Sequence, residues 1–332
     1  MARCRSERTL PHMDRRRFLT LAPLALGVSG MLPFLGGCRQ DDPLRVSYHP
    51  WIGYETLYLA ERFNWLPDAA RLTRRQSASE SLAALQKHEA DAAALTLDEV
   101  IRARLQGMDL VVVMVFNVSA GADALVVHES IKRLEQLEGK RIGAEGSAVG
   151  AMLLDRVLEK AELTREQVTV VDVPADRHLA AWEAAEVDAV VSYEPTVSQL
   201  RRAGAVLMAD SRDFPDTIFD VLAVRRDCID HVEHTLLGLV DAHFRALEHL
   251  RFNRQDALYR IADVESVTPA DARRALGGVL LPDRRANQRY LSPGSRLTVA
   301  AAELERRLAA GNGLGNGWYS DAFLPRSHAR AG

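Results

Sequence analysis

Lys140-Arg-Ile-Gly-Ala-Glu-Gly-Ser-Ala-Val-Gly-Ala151 is the stretch on which the reading of this 332-residue chain turns. Arg141 to Ala144 reads as a short apolar strand and Gly146-Ser147 as a turn. A helix follows, whose apolar series Met152, Leu153, Leu154, Val157 and Leu158 keeps close to a 3.6-residue period. Ser147 suits an N-cap, and Gly146, Ala148 and Gly150 are small enough to let another group approach the backbone. The first N–H groups of a helix lack intrahelical partners and carry partial positive charge, which favours small polar ligands there. The same stretch is also what an ordinary strand-to-helix turn of a doubly wound sheet looks like.

Working outward, the alternation of strand and helix repeats on both sides. Upstream, Leu44 to Tyr48, Arg71 to Arg75 and Asp91 to Thr96 read as strands separated by helices. Leu110 to Phe116 is a continuous apolar run, as a strand buried on both faces requires. Downstream, Ala124 to Val127, Val168 to Val173, Val187 to Ser192, Ala205 to Met208 and Phe219 to Arg225 read as strands. From Asp230 to Ala310 the pattern is helical, with breaks at Asn253, Thr268-Pro269, Pro282 and Ser292-Pro293. Strands alternating with helices predict an α/β fold built on mostly parallel sheets. Two such units and a helical tail predict two lobes, crossed by the chain at Ser119–Val127 and again at Asp216–Arg225.

The start of the chain has the features of an export signal. Basic residues around Arg15-Arg16-Arg17 precede an apolar run from Leu19 to Phe34, followed by Leu35-Gly36-Gly37-Cys38. Arg15-Arg16 with Phe18-Leu19 resembles a twin-arginine signal. Leu35 to Cys38 resembles a lipobox, which implies residues 1–37 as signal peptide and Cys38 as the lipid-modified first residue. Residues 38–43 would then be a tether. An uncleaved membrane anchor is the competing reading, but the apolar run is short of the ~20 residues a spanning helix needs, and Pro23, Gly27, Gly30 and Pro33 interrupt it. Met13, directly before the basic run, is an alternative start.

Loss of residues 1–37 removes six arginines, one glutamate and one aspartate, leaving 36 basic and 43 acidic side chains and a net charge of −7. That balance, with no basic stripe interleaved with aromatics, argues against a nucleic-acid partner. Cys228 would be the only remaining thiol, so stability must come from a packed core and not from disulfides.

Several phrases then carry a family resemblance. Trp51-x-Gly53-Tyr54-Glu55, Gly121-Ala-Asp-Ala-Leu125, Leu137-x-Gly139-Lys140-Arg141-Ile142-Gly143, Glu145-Gly-Ser-Ala148, Glu186-Val-Asp188-Ala189, Tyr193-Glu194-Pro195 and Asp210-Ser-Arg212 occur in order. Together they resemble the nitrate/sulfonate/taurine-type periplasmic substrate-binding proteins, whose relatives include the thiamine-pyrimidine binders. The resemblance implies a type II periplasmic-binding-protein fold, with residues 44–122 and 220–332 forming a discontinuous lobe 1 and 123–219 lobe 2. It also implies a lipid-anchored monomer at the periplasmic or outer envelope face, delivering a small molecule to an ABC permease without catalysis. A lipoprotein that senses a ligand for a membrane signalling protein is the alternative.

In such folds the cleft is lined by loops at the carboxyl ends of strands and by helix starts. His49, Trp51 and Tyr54 after the first strand, Thr96 after the third, and Asn117 and Asp123 near the first crossing are candidate ligand-binding residues. Glu145, Ser147, Tyr193 and Glu194 are candidates on lobe 2, and Asp220 on the return crossing. Asp123, Glu145, Glu194 and Asp220 bear on the ligand's charge. Two of them facing the cleft would repel a bare anion and favour an amine or amino-heterocycle, which the aromatics Trp51, Tyr54 and Tyr193 would also suit. The plainer alternative is that Glu145 and Glu194 cap helices and that Asp123 braces the hinge.

Other signals fail on context. Gly311-Asn-Gly-Leu-Gly-Asn-Gly317 follows a helix and leads into none, so it reads as a turn and not as a dinucleotide loop. His231, His234, His243 and His249 fall on a helix expected at the surface, without the cysteines or acids of a metal site. No cofactor or metal is expected.

Overall fold

The computed structural model describes residues 42–146, 148–308 and 313–325. The signal segment, Cys38 and Ser147 lie outside these residues, as do most of the tether and Gly311-Asn312. No helix among the described residues is long and apolar enough to cross a membrane.

The chain builds a first sheet from β1 (Leu44–Tyr48), β2 (Ala70–Arg74), β3 (Ala92–Thr96) and β4 (Leu110–Ser119), connected through α1 (Glu55–Arg62), α2 (Ala78–Gln86) and α3 (Leu97–Leu105). It then crosses to a second sheet made of β5 (Asp123–Val127), β6 (Arg141–Ala144), β7 (Thr169–Asp172), β8 (Ala189–Tyr193) and β9 (Val206–Asp210). The helices of this unit are α4 (Ala148–Lys160), α5 (His178–Glu183) and α6 (Thr196–Arg202). β10 (Phe219–Arg225) returns to the first sheet. α7 (Ile229–Phe252), α8 (Arg254–Val264), α9 (Pro269–Leu276), the short β11 (Val279–Leu280), α10 (Arg284–Tyr290) and α11 (Arg296–Leu308) complete the chain.

The strand orders are β11-β4-β10-β3-β1-β2 and β7-β6-β8-β5-β9. β1, β2 and β3 are parallel, whereas β10 runs antiparallel between β3 and β4. In the second sheet β5 runs antiparallel to both neighbours, β8 and β9. β4 and β10 are buried along their whole lengths, which is why Leu110 to Phe116 of β4 reads as an unbroken apolar run. One large core fills the first lobe, and two smaller clusters cover the two faces of the second sheet.

Helix starts are specified locally. Thr96 and Glu99 form a reciprocal capping box on α3, Ser77 caps α2 by accepting from the Glu80 N–H, and Thr268 with Pro269 opens α9. The outer edge of β4 is covered piecewise. β11 pairs with Val118 and Ser119, Asn287 of α10 bonds both backbone groups of Val115, and Trp318 and Ser320 pair with Val112. The histidines differ from expectation. α7 packs one face into the core, so His243 is fully buried and shares a 2.8 Å hydrogen bond with the Thr56 hydroxyl, while His231 and His234 are exposed.

Candidate ligand-binding cleft

The register of both sheets gathers the candidate residues at one end. β5 starts with Asp123 opposite Tyr193, the last residue of β8. In the first sheet Asp220 lies between Thr96 and Asn117 on its two neighbouring strands. His49, Trp51 and Tyr54 follow β1, and Glu145 follows β6, at the carboxyl ends of those parallel strands.

On the first-lobe side these residues form one connected cluster. The Tyr54 hydroxyl donates to Asp220 Oδ1 at 2.8 Å. The Asn117 amide donates to Asp220 Oδ2 at 2.8 Å, and its oxygen accepts from Trp51 Nε1 at 3.2 Å. Asp220 is 2 % exposed, and burial together with the nearby Asp123 pushes its carboxyl well above the usual range. Gly53 is required here: a Cβ would lie 2.0 Å from the Asn117 amide oxygen and 2.5 Å from Trp51 Nε1. His49 packs edge-on against Tyr54, with Nδ1 unpartnered. Burial and then Arg74 lower it to about 3, so it is neutral. Thr96 is occupied as the cap of α3, and burial raises its partner Glu99 to about 7 against the opposing Thr96 hydrogen bonds.

On the second-lobe side, Asp123, Glu145, His178, Ser192 and Tyr193 line a small internal cavity above Val149, Leu153 and Val191. Its volume is about 10 Å³, room for roughly one water. Among the described residues no lysine or arginine lines it. Larger hollows, such as one of about 650 Å³ beside Leu291 and Trp318, are open to solvent and share no residue with this buried polar cluster. Burial raises Asp123 to about 7, opposed by a hydrogen bond from Ser119, and raises Tyr193, which also faces Glu145, Glu99 and Asp123. Trp51 meets Tyr193 edge to face across the two lobes, with centroids 5.6 Å apart.

Glu194 faces away from this cavity. Its carboxylate accepts from the Ser198 N–H and hydroxyl, both at 3.0 Å, and so caps the first turn of α6. Two cavity residues, His178 and Ser192, were not anticipated. His178 Nε2 must donate to the Val173 carbonyl at 2.9 Å, so Nδ1 accepts from Ser192 Oγ at 2.9 Å. Burial lowers the imidazole to about 4 and keeps it neutral. The one sequence signal for His178 was its place at a helix start after a strand.

Ion pairs join the lobes on either side of the cleft. Arg202 of α6 pairs with Asp271 of α9, and Arg307 of α11 lies 3.6 Å from Glu159 of α4.

A family model described as NMT1/THI5 like matches residues 69–257, more than half of the chain. The chain belongs to this family. A relative in Brucella abortus (strain 2308) is 26% identical over 118 residues, 35% of this chain and 37% of that one. The taurine-binding periplasmic protein of Escherichia coli (strain K12) is 29% identical over 108 residues, 32% of this chain and 34% of its own length. The matches to curated relatives thus span about a third of those proteins. Among solved structures, the alkanesulfonate-binding protein SsuA of Xanthomonas axonopodis pv. citri, bound to MOPS, superposes with TM-score 0.68 at 21% identity, over 85% of this chain and 99% of that one. The desulfurization enzyme DSZB superposes with TM-score 0.62 at 16% identity, over 85% of this chain and 97% of that one. At these identities the structures establish the fold alone, a periplasmic-binding-protein fold of two α/β lobes with a helical C-terminal region, and that fold also carries an enzyme.

Proposed function

We propose that this protein is the solute-capturing component of an ABC-type importer: it encloses a small polar organic molecule between its lobes and presents it to a membrane permease. Membership of the NMT1/THI5-like family and the two-lobed fold support the capture role. Residues 44–122 with 220–332 act as one lobe and 123–219 as the other. Cys38 carries a lipid anchor that holds the protein at the envelope, and the protein itself performs no chemistry on its cargo.

The ligand is an amine or amino-heterocycle. One observation carries this assignment: Asp123 and Glu145 line the cavity on the second-lobe side, and no cationic side chain among the described residues lines it with them. A sulfonate placed there would meet like charge in a poorly solvated site, whereas N–H donors would meet acceptors. Trp51 and Tyr193 offer aromatic edges and faces to a flat or cationic group. A cavity of about 10 Å³ does not hold such a ligand, so the lobes part for entry and close around it.

The test is a thermal-shift screen of the purified protein against aliphatic amines, aminopyrimidines, alkanesulfonates and nitrate. A ligand at 100 times its Kd stabilises by about 2.7 kcal/mol, which such a screen detects. Stabilisation by amines or aminopyrimidines, with the compound recovered unchanged, is the expected result. Stabilisation by sulfonates or nitrate alone would refute the ligand assignment, and turnover of the bound compound would refute the transport role.

A further inference from the structure

Asp123 stands where the crossing between lobes meets the cleft cavity. It is 4 % exposed, and its Oδ2 is buried without a hydrogen-bond partner although the residue lines the cavity. Leaving such an oxygen unpaired is costly, so its retention calls for a partner that arrives from outside.

Behind the carboxyl the residue is backed by a series of hydrogen bonds. The Gly121 N–H donates to Ser211 Oγ at 2.6 Å, and the Ser211 and Ser119 hydroxyls share a hydrogen bond of 2.7 Å. Ser119 in turn accepts from the Asp123 N–H at 3.3 Å, and its hydroxyl opposes the rise of the Asp123 carboxyl. Ser119 and Gly121 belong to the outgoing crossing and Ser211 directly follows β9, so this series ties that crossing to the end of the second sheet beside Asp123.

The ionisable groups around it come from every neighbouring element: Asp220 on β10, Glu99 on α3, Glu145 after β6, Tyr193 on β8 and His178 on α5. His178 is fixed neutral by Val173 and Ser192, and none of the others supplies a positive charge. Arg212, which packs against Gly121, is paired with Asp210, so burial raises Asp123 to about 7 from its ordinary 3.8.

We propose that Asp123 is the charge-selecting residue of the cleft: a cationic N–H group of the ligand docks on its open oxygen while the carboxyl gives its proton to water, so that capture of a cation releases a proton. The proposal rests on the solute-capture reading above. No bond of the ligand changes; the neutral acid and the ligand cation become an ion pair, and one proton leaves.

The probes are propylamine, 4-aminopyrimidine, 1-propanol and propane-1-sulfonate, titrated calorimetrically into the purified protein in two buffers of different ionisation heat. Propylamine is expected to bind and to release about one proton at pH 6. Its affinity should rise about tenfold per pH unit towards pH 7 and level off above it. Asp123→Asn should weaken propylamine by about thirtyfold or more and abolish proton release. Asp155→Asn, the same charge change on exposed α4, should leave both unchanged. Ser211→Ala, which removes the partner that positions the Ser119 hydroxyl without touching the cavity, should move the pH midpoint upwards. This second variant decides the matter should Asp123→Asn fail to fold.

Propylamine binding without proton release, or undiminished in Asp123→Asn, overturns the assignment. Binding of propane-1-sulfonate in place of propylamine, insensitive to Asp123→Asn, overturns it while solute capture stands. If no probe binds, and the wider amine, aminopyrimidine and sulfonate panel also fails, both readings fall together.

Discussion

Asn287→Ala should be among the most damaging single substitutions far from the cleft. Asn287 is fully buried on α10, and its side-chain amide behaves as a piece of β-strand backbone. Oδ1 accepts from the Val115 N–H at 2.7 Å and Nδ2 donates to the Val115 carbonyl at 3.1 Å. β11 covers β4 only at Val118 and Ser119, so nothing else in the ladder satisfies Val115 on that side. Alanine would orphan one buried donor and one buried acceptor, each costing about 1–3 kcal/mol, for a total loss of about 2–6 kcal/mol. At about 2–4 °C per kcal/mol, Tm should fall by about 4–24 °C. Urea unfolding followed by circular dichroism measures this directly. Asn287→Asp refines the test, because only its protonated form can donate to the Val115 carbonyl, so part of the loss should return in acid. A loss below about 1 kcal/mol with an unchanged m-value would show that Val115 finds other partners and that the amide is not a backbone substitute.

Three further outcomes are expected. Burial holds Glu99 at about 7 against an ordinary 4.5, so its stabilising share is complete below pH 4.5 and lost as pH rises through about 7. Urea midpoints should therefore fall between pH 5 and pH 8, and Glu99→Gln, which keeps an acceptor for the Thr96 N–H, should flatten that fall. Gly278→Ala would place a Cβ 2.8 Å from Ala122 N and 3.0 Å from the Gly121 carbonyl carbon, both backbone atoms of the outgoing crossing. It should lower Tm measurably, because the Gly278 carbonyl also accepts from the Ala120 and Ala122 N–H groups, and a Tm equal to wild type would show that the crossing yields freely. Arg202→Ala combined with Arg307→Ala removes the ion pairs on both sides of the cleft. Since Arg202 and Arg307 are 49% and 40% exposed, global stability should change by less than about 1 kcal/mol, while small-angle scattering should record a larger radius of gyration.

Much of the architecture was legible in the sequence because periodicity and burial coincide. Phe219 to Arg225 was read with the bounds found, and every residue of that strand, Asp220 and Arg225 included, is buried. The breaks at Asn253 and Thr268-Pro269 are the helix boundaries found, because proline and cap chemistry are local. His243 was misplaced on the surface. Histidine carries no hydrophobic mark, yet Leu239, Val240 and Leu247 at helical spacing show that its face of α7 points inward. The cleft was legible only as a set of positions. Trp51, Tyr54, Asn117 and Asp220 do form one bonded cluster, but their pairing rests on the register of β10 between β3 and β4, which local pattern does not encode. The contact between Ser119 and Ser211 joins residues 92 positions apart, and no spacing in the sequence announces it.

The place of β10 has a consequence for how the chain reaches this structure. β4 has two strand partners, β10 on one side and the short β11 on the other, so nothing but β10 connects it to β1, β2 and β3. A chain synthesised as far as Asp216 can complete the second sheet, whose strands are contiguous from Asp123 to Asp210, while β4 remains detached from the strands that precede it. The lobe that begins the described chain is therefore the last to close. It waits for a strand encoded about a hundred residues later, and this long loop closure is a topology that slows folding.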